Sequence, residues 1–324
     1  MVNHNFDDYW AVTMFSFTNE LLEARHTSLE LIESVLADGL SKHIEIDGPM
    51  HFRNYPNPST HDIAELKQLL SKHGAKISLI GGAADRAISS TRLVSSAEIV
   101  KSVKRQLELA ADLGAFGLRL MVGGLSVDEV KAIAPTAEAL DVKVLYELHG
   151  VMAADSEIAR ECLQLVKDVD STHVRLMFDS SLFMTEMPKA LLAALGRVGV
   201  GNTNEFDEKW QTSTLDEFRA WLMPQVEKFP PPFKAFIPTL TSRMGHSKPS
   251  DYDEYLPYIE SVHLKYWEDG NTDADLINYL IANGYVGYLT SEWGGHEWAN
   301  TATPALEMTR AHRDLIERSF NLAH

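Results

Sequence analysis

Short β-rich runs recur along the chain, and most are followed by a longer stretch with apolar residues at helical spacing. The strand-like runs are residues 11–17 (AVTMFSF), 43–47 (HIEID), 76–80 (KISLI), 116–122 (FGLRLMV), 142–148 (VKVLYEL), 174–179 (VRLMFD), 261–266 (SVHLKY) and 286–292 (VGYLTSE). SSAEIVKSVKRQLELAADLGAFG predicts a helix capped by Ser96 and stopped at Gly114. SVDEVKAIAPTAEALD predicts another, capped by Ser126 and bent or interrupted at Pro135. Residues 269–284 follow the same cap-to-glycine plan.

Eight strand–helix units with one gap predict an α/β fold, a (β/α)8 TIM barrel. A doubly wound open sheet is the alternative, but it calls for a Gly-rich phosphate turn after an early strand, and none is present. Gly81-Gly82 reads as a tight turn. The expectation is a single barrel domain over residues 1–324, with an insertion at about 180–260 between strands six and seven. That insertion holds the helical PKALLAALG, a Gly/Asn-rich turn at 197–206, an aromatic helical segment from Leu215 to Val226, and the stiff FPPPF at 229–233. Segments that follow barrel strands lie on the catalytic face, so it is expected to form a lid or a partner-binding surface.

Composition narrows the function. There are 46 acidic residues against 29 Lys and Arg, a net charge of −17, which disfavours nucleic acid and anionic membranes as partners. The lone Cys162 excludes an internal disulfide and a cysteine zinc site. No run approaches the ~20 apolar residues of a membrane helix, and the start MVNHNFDDYW lacks signal-peptide character. The expected location is cytoplasmic.

Polar residues mark the ends of the last four strands: strands five, six and eight end in Glu147, Asp179 and Glu292, and strand seven carries His263. Adjacent strands lie ~4.8 Å apart, so inward side chains at these ends can converge on one cation. Each residue alone has an ordinary explanation as a helix cap or a hydrogen-bonded core group. Together, three carboxylates and one imidazole form an oxygen-rich set suited to Mn2+, with Mg2+, Co2+ or Fe2+ also possible.

His149, two residues beyond Glu147, falls on the same side and is a candidate base. Lys265, in the same relation to His263, is a candidate donor to a substrate oxygen, with a surface ion pair as the alternative. His296 follows Glu292 on a loop and is a further substrate-binding candidate. Glu45, Asp47 and Arg119 put charge into apolar strands, which suits either substrate contact at the mouth or a buried pairing among themselves.

The Glu147/Asp179/His263/Glu292 set resembles that of the xylose isomerase-like barrels, which include sugar isomerases, epimerases, inosose dehydratases and abasic-site endonucleases. The endonucleases carry a larger cluster of metal-binding His. The segments TMFSFTNE (13–20), NYPNP (54–58), Ile133-Ala134-Pro135 and Glu147-Leu148-His149 are similar to catalytic (alpha) subunits of bacterial C-glycoside deglycosidases. A departure follows at Gly150-Val151-Met152, where that branch suggests a polar, proline-containing turn, and it bears on the aglycone side of the pocket. The resemblance implies metal-dependent cleavage of the C–C glycosidic bond of a 3-oxo-C-glycoside through C2 proton abstraction and a metal-stabilised enediolate. It also implies Mn2+ and a small β-rich beta subunit. The catalytic residues would be His149, Glu147 and Glu292. The alternative is a ketose 3-epimerase or aldose–ketose isomerase on the same metal site, with Glu147 and Glu292 as proton shuttles. A non-catalytic sugar-binding barrel would require the strand-end set to be mere ion pairs.

Overall fold

The architecture comes from a computed structural model that describes residues 5–89, 91–197, 199, 202–227, 234, 242–267, 272–295 and 303–323. Eight parallel strands close into a barrel in sequence order: β1 (Trp10–Thr13), β2 (His43–Asp47), β3 (Lys76–Gly81), β4 (Gly117–Met121), β5 (Lys143–Leu148), β6 (Val174–Asp179), β7 (Ile259–Tyr266) and β8 (Tyr288–Trp293). β1 pairs with both β2 and β8, which seals the sheet. Helices such as Ser28–Ala37, Thr60–His73, Glu157–Val169 and Ala305–Ala323 cover the outside. The predicted barrel is therefore the observed one.

Side-chain alternation divides each strand between two environments. Val144, Tyr146 and Leu148 of β5 belong to the large apolar core, while Leu145 packs with Leu79 and Met177 in a small separate cluster. Glu147 and Asp179 follow Leu145 and Met177 by two residues, so they share that face one layer higher.

Local differences from the sequence expectation have identifiable causes. The first strand stops at Thr13, not Phe17: the Thr13 hydroxyl accepts a hydrogen bond from Phe15 N (3.3 Å) and the chain tightens into a 3-10 turn, Met14–Phe17. The cap of helix Ser96–Asp112 is Ser95 rather than Ser96, because Glu98 completes a reciprocal capping pair three residues after Ser95. Helix Val127–Leu140 runs through Pro135. A proline removes one backbone bond, yet Val130, Ile133, Ala134 and Ala137 on either side are buried and hold the helix against the core. The hairpin formed by Ala87–Ser89 and Arg92–Leu93, after β3, has no counterpart among the predicted elements.

Between β6 and β7 the chain forms helices Lys189–Arg197, Thr203–Thr212 and Leu215–Val226. They share a second hydrophobic cluster that includes Leu191, Phe206, Trp210, Phe218, Met244 and Trp267. The predicted proline segment 229–233 lies outside the described residues. Among the described residues no helix is long and apolar enough to cross a membrane, and Cys162 is a buried free thiol.

Candidate metal centre

The C-terminal strand ends bring Glu147, Asp179, His263 and Glu292 together. One ligand atom from each lies within 4.8 Å of the others, and all four residues are buried. Strand register accounts for part of this: Asp179 on β6 is directly beside His263 on β7, and Glu292 on β8 is beside Lys265.

His263 is the hub. Its Nε2 is 2.7 Å from Oε2 of Glu45, and its Nδ1 is 2.9 Å from both Oε1 of Glu147 and Oε2 of Glu292. Nδ1 nevertheless makes no hydrogen bond of adequate geometry to either. A buried ring nitrogen held 2.9 Å from two carboxylate oxygens stands where a ligand atom would. The donor set of three carboxylates and one imidazole fits a divalent cation such as Mn2+ or Mg2+.

Electrostatics point the same way. Burial opposes a charge on His263, but Glu45, Glu147 and Glu292 outweigh it and hold the imidazole well above its ordinary pKa. Burial also works against ionised Glu147, yet Arg119 and His263 bring it well below the usual carboxylate range. Glu292 is lowered too: Lys265 and His263 overcome the cost of burial. Asp179 goes the other way, raised by burial and by the neighbouring Glu292 and Glu147 despite Lys265. Four buried carboxylates, Glu45 included, face two permanent cations, Arg119 and Lys265. The excess of negative charge favours the charged form of His263, and a divalent ion would offset it when bound.

A cavity of about 310 Å³ opens above the cluster. His149 and Lys265 line it, on the side expected from strand alternation. Lys265 is no surface ion pair: its side chain is only 12% exposed and its ammonium meets Glu292 directly and Asp179 at 3.4 Å. Arg119 also reaches the wall, whereas Glu45 is fully buried beneath it, bonded to Arg119 and His263. Of the two readings of Glu45 and Arg119, the buried pairing describes their contacts. His296 lies outside the described residues.

Sequence reasoning did not single out Phe15, Met121, Ser181, Arg243 or Trp267, which also line the wall. Trp267 continues the alternation His263, Lys265, Trp267 and was accessible by that rule. Arg243 carries no local signal, since it arrives from the β6–β7 insertion. Its segment crosses the β5 loop at a pair of glycines. A Cβ on Gly150, whose φ is +57°, would lie 2.8 Å from Ser242 O, and one on Gly245 would lie 2.1 Å from Gly150 O. Ser181 ties the crossing to the centre: its hydroxyl accepts from Gly150 N (3.0 Å), its carbonyl accepts from Gly245 N (2.7 Å), and its own N–H donates to Oδ1 of Asp179 (2.8 Å). Gly150 at the head of the unusual Gly-Val-Met turn thus has a steric reason.

A closed eight-stranded barrel with acidic and imidazole side chains at its strand ends defines a class. The chain belongs to the xylose isomerase-like TIM barrel family, whose pattern matches residues 41–316. It is 23% identical to the 3'-dehydrocarminate deglycosidase alpha subunit of a Microbacterium species, over 95% of this chain and 94% of that protein. It is 23% identical to a C-glycoside deglycosidase alpha subunit of Arthrobacter globiformis, over 96% of this chain and 92% of that protein. In fold it is similar to a 3-keto-D-glucoside 4-epimerase from E. coli: TM-score 0.53, 15% identity, covering 96% of this chain and 98% of that one.

Proposed function

We propose that this chain is the catalytic subunit of a Mn2+-dependent lyase that cleaves the C–C glycosidic bond of a 3-oxo-C-glycoside. The observation that carries the reading is the mixed lining of the cavity, polar and aromatic together. His149, Lys265, Asp179 and Glu292 line its polar part, and Phe15, Met121 and Trp267 supply an apolar, largely aromatic part, as a sugar joined to an aromatic ring requires. The names of the relatives support it.

Glu147, Asp179, His263 and Glu292 would hold the ion. When bound, it supplies Lewis acidity to the sugar ketone and the adjacent hydroxyl. His149 removes the C2 proton, which the C3 ketone acidifies, and C2=C3 enediolate character develops. That electron pair then forms C1=C2 as the C1–aryl bond breaks, and the departing aryl carbon takes up a proton. No oxidant or reductant is consumed. Arg119 and Lys265 keep the surrounding carboxylates ionised and in place. Residues 1–324 act as one domain, in the cytoplasm, with a small β-rich beta subunit as partner. The helical insertion after β6, with its separate hydrophobic cluster, serves as the lid or partner surface.

Product analysis tests this. The Mn2+-loaded protein, alone and with a β-rich partner, is incubated with a 3-oxo-C-glucoside and with free ketoses. Release of the aglycone together with an unsaturated 3-oxo sugar is expected. Epimerised free ketose instead would establish the second reading, a ketose 3-epimerase or isomerase, which the presence of two carboxylates, Glu147 and Glu292, at the one centre favours.

A further inference from the structure

Two residues outside the ligand set, Glu45 and Arg119, lock it together. Glu45 on β2 accepts from His263 across the barrel through Oε2 (2.7 Å) and from Arg119 Nε through Oε1 (2.9 Å). The same guanidinium donates through Nη1 to Oε2 of Glu147 (2.9 Å). The chain His263–Glu45–Arg119–Glu147 therefore starts on one ligand and ends on another, and every member is well buried.

Arg119 sits on β4 and Glu45 on β2, so the guanidinium must pass over β3. The residue beside Arg119 there is Gly81, which in turn pairs with Asp47. A Cβ on Gly81 would lie 2.8 Å from Nη2 of Arg119 and 2.9 Å from Oδ2 of Asp47. The glycine is the gap through which the arginine reaches.

We propose that Glu45 and Arg119 are positioning residues of the metal centre: Glu45 holds the Nε2–H of His263 so that the Nδ1 lone pair faces the cluster, and Arg119 fixes Glu45 relative to Glu147. A ligating imidazole whose second nitrogen donates to a carboxylate is held in one tautomer and one orientation. Here the orienting carboxylate is itself oriented, by a guanidinium that also grips a second ligand. The inference rests on the metal reading above.

The test uses full-length protein stripped of metal and titrated with Mn2+, free ion being read by electron paramagnetic resonance. The Mg2+-loaded protein is examined by 15N NMR of its histidines, and circular dichroism reports folding. Glu45→Ala is expected to lower Mn2+ affinity roughly 10–100-fold, and Glu45→Gln, whose amide oxygen still accepts from Nε2–H, to recover part of it. Arg119→Lys keeps the charge but cannot span both carboxylates, and should lose several-fold. The Mg2+-loaded wild type should show Nε2 protonated and Nδ1 not. If Glu45→Ala does not fold, Glu45→Gln and Arg119→Lys decide: folded variants with wild-type affinity and an unchanged His263 spectrum overturn the proposal. Wild-type protein that binds no Mn2+ would instead remove the metal reading itself.

Discussion

Strands β5–β8 and strands β2–β4 both place charge inside the barrel, and they use it differently. The later half supplies side chains with ligand atoms pointed at one volume, Glu147, Asp179, His263 and Glu292. The earlier half supplies Glu45 and Arg119, whose bonds run to those ligands and to each other. The contrast extends to two imidazoles. His263 is pressed toward its charged form by carboxylates that outweigh burial. His51, just beyond β2, donates from Nδ1 to the Asp47 carbonyl (2.8 Å) and is pushed by burial down to about 4. A buried titratable group takes the charge state its immediate partners support, so depth alone does not predict it.

That comparison can be broken at several points, the strongest first. Removing a ligand, as in His263→Ala, should reduce Mn2+ binding by more than the ~100-fold that marks loss of an outer partner. Equilibrium dialysis with metal analysis measures it. Next, Arg119→Met removes the guanidinium that bridges buried Glu45 and Glu147 and should cost about 3–5 kcal/mol in urea unfolding of metal-free protein. If that variant is as stable as wild type, the earlier half does not hold the later one.

A pH series addresses the imidazoles. Folded His51 stays neutral down to about 4, while in the unfolded chain it takes up a proton below 6.5. It contributes nothing above 6.5 and increasingly opposes folding as pH falls from there toward 4, by up to roughly 3 kcal/mol. His51→Gln should flatten the stability–pH curve in that window, and an unchanged slope would contradict the assignment. The smallest effect belongs to an outer helix: Ser95→Ala removes a capping hydroxyl and should cost about 1 kcal/mol with Mn2+ affinity untouched.

The later half was legible because Glu147, Asp179 and Glu292 stand at the ends of apolar runs, His263 interrupts one, and strand alternation fixes which way they point. His149 and Lys265 followed from the same rule. The earlier half was not legible to that depth. Glu45 and Arg119 stood out as charges in apolar strands, but their bonds depend on barrel closure and on Gly81, which are tertiary facts. Arg243 was invisible because no local period places a residue from the insertion over the mouth. With serine at both 95 and 96, the expected cap fell one residue late, at Ser96; Glu98 pairs with Ser95. The strand at 11–17 reads as one apolar run, and only the Thr13 hydrogen bond to Phe15 ends it early and leaves Phe15 at the cavity.

The glycine crossing at 150 and 245 has a consequence for descent. With backbone so close that a methyl at either position would collide with the other segment's chain, neither site can accept a larger residue while its counterpart's path stays put. The two positions, 95 residues apart in sequence, should therefore change together or not at all among related proteins. Where a relative lacks glycine at one, the loop bearing its counterpart of Arg243 must be rerouted, and the shape of the space it encloses should differ with it.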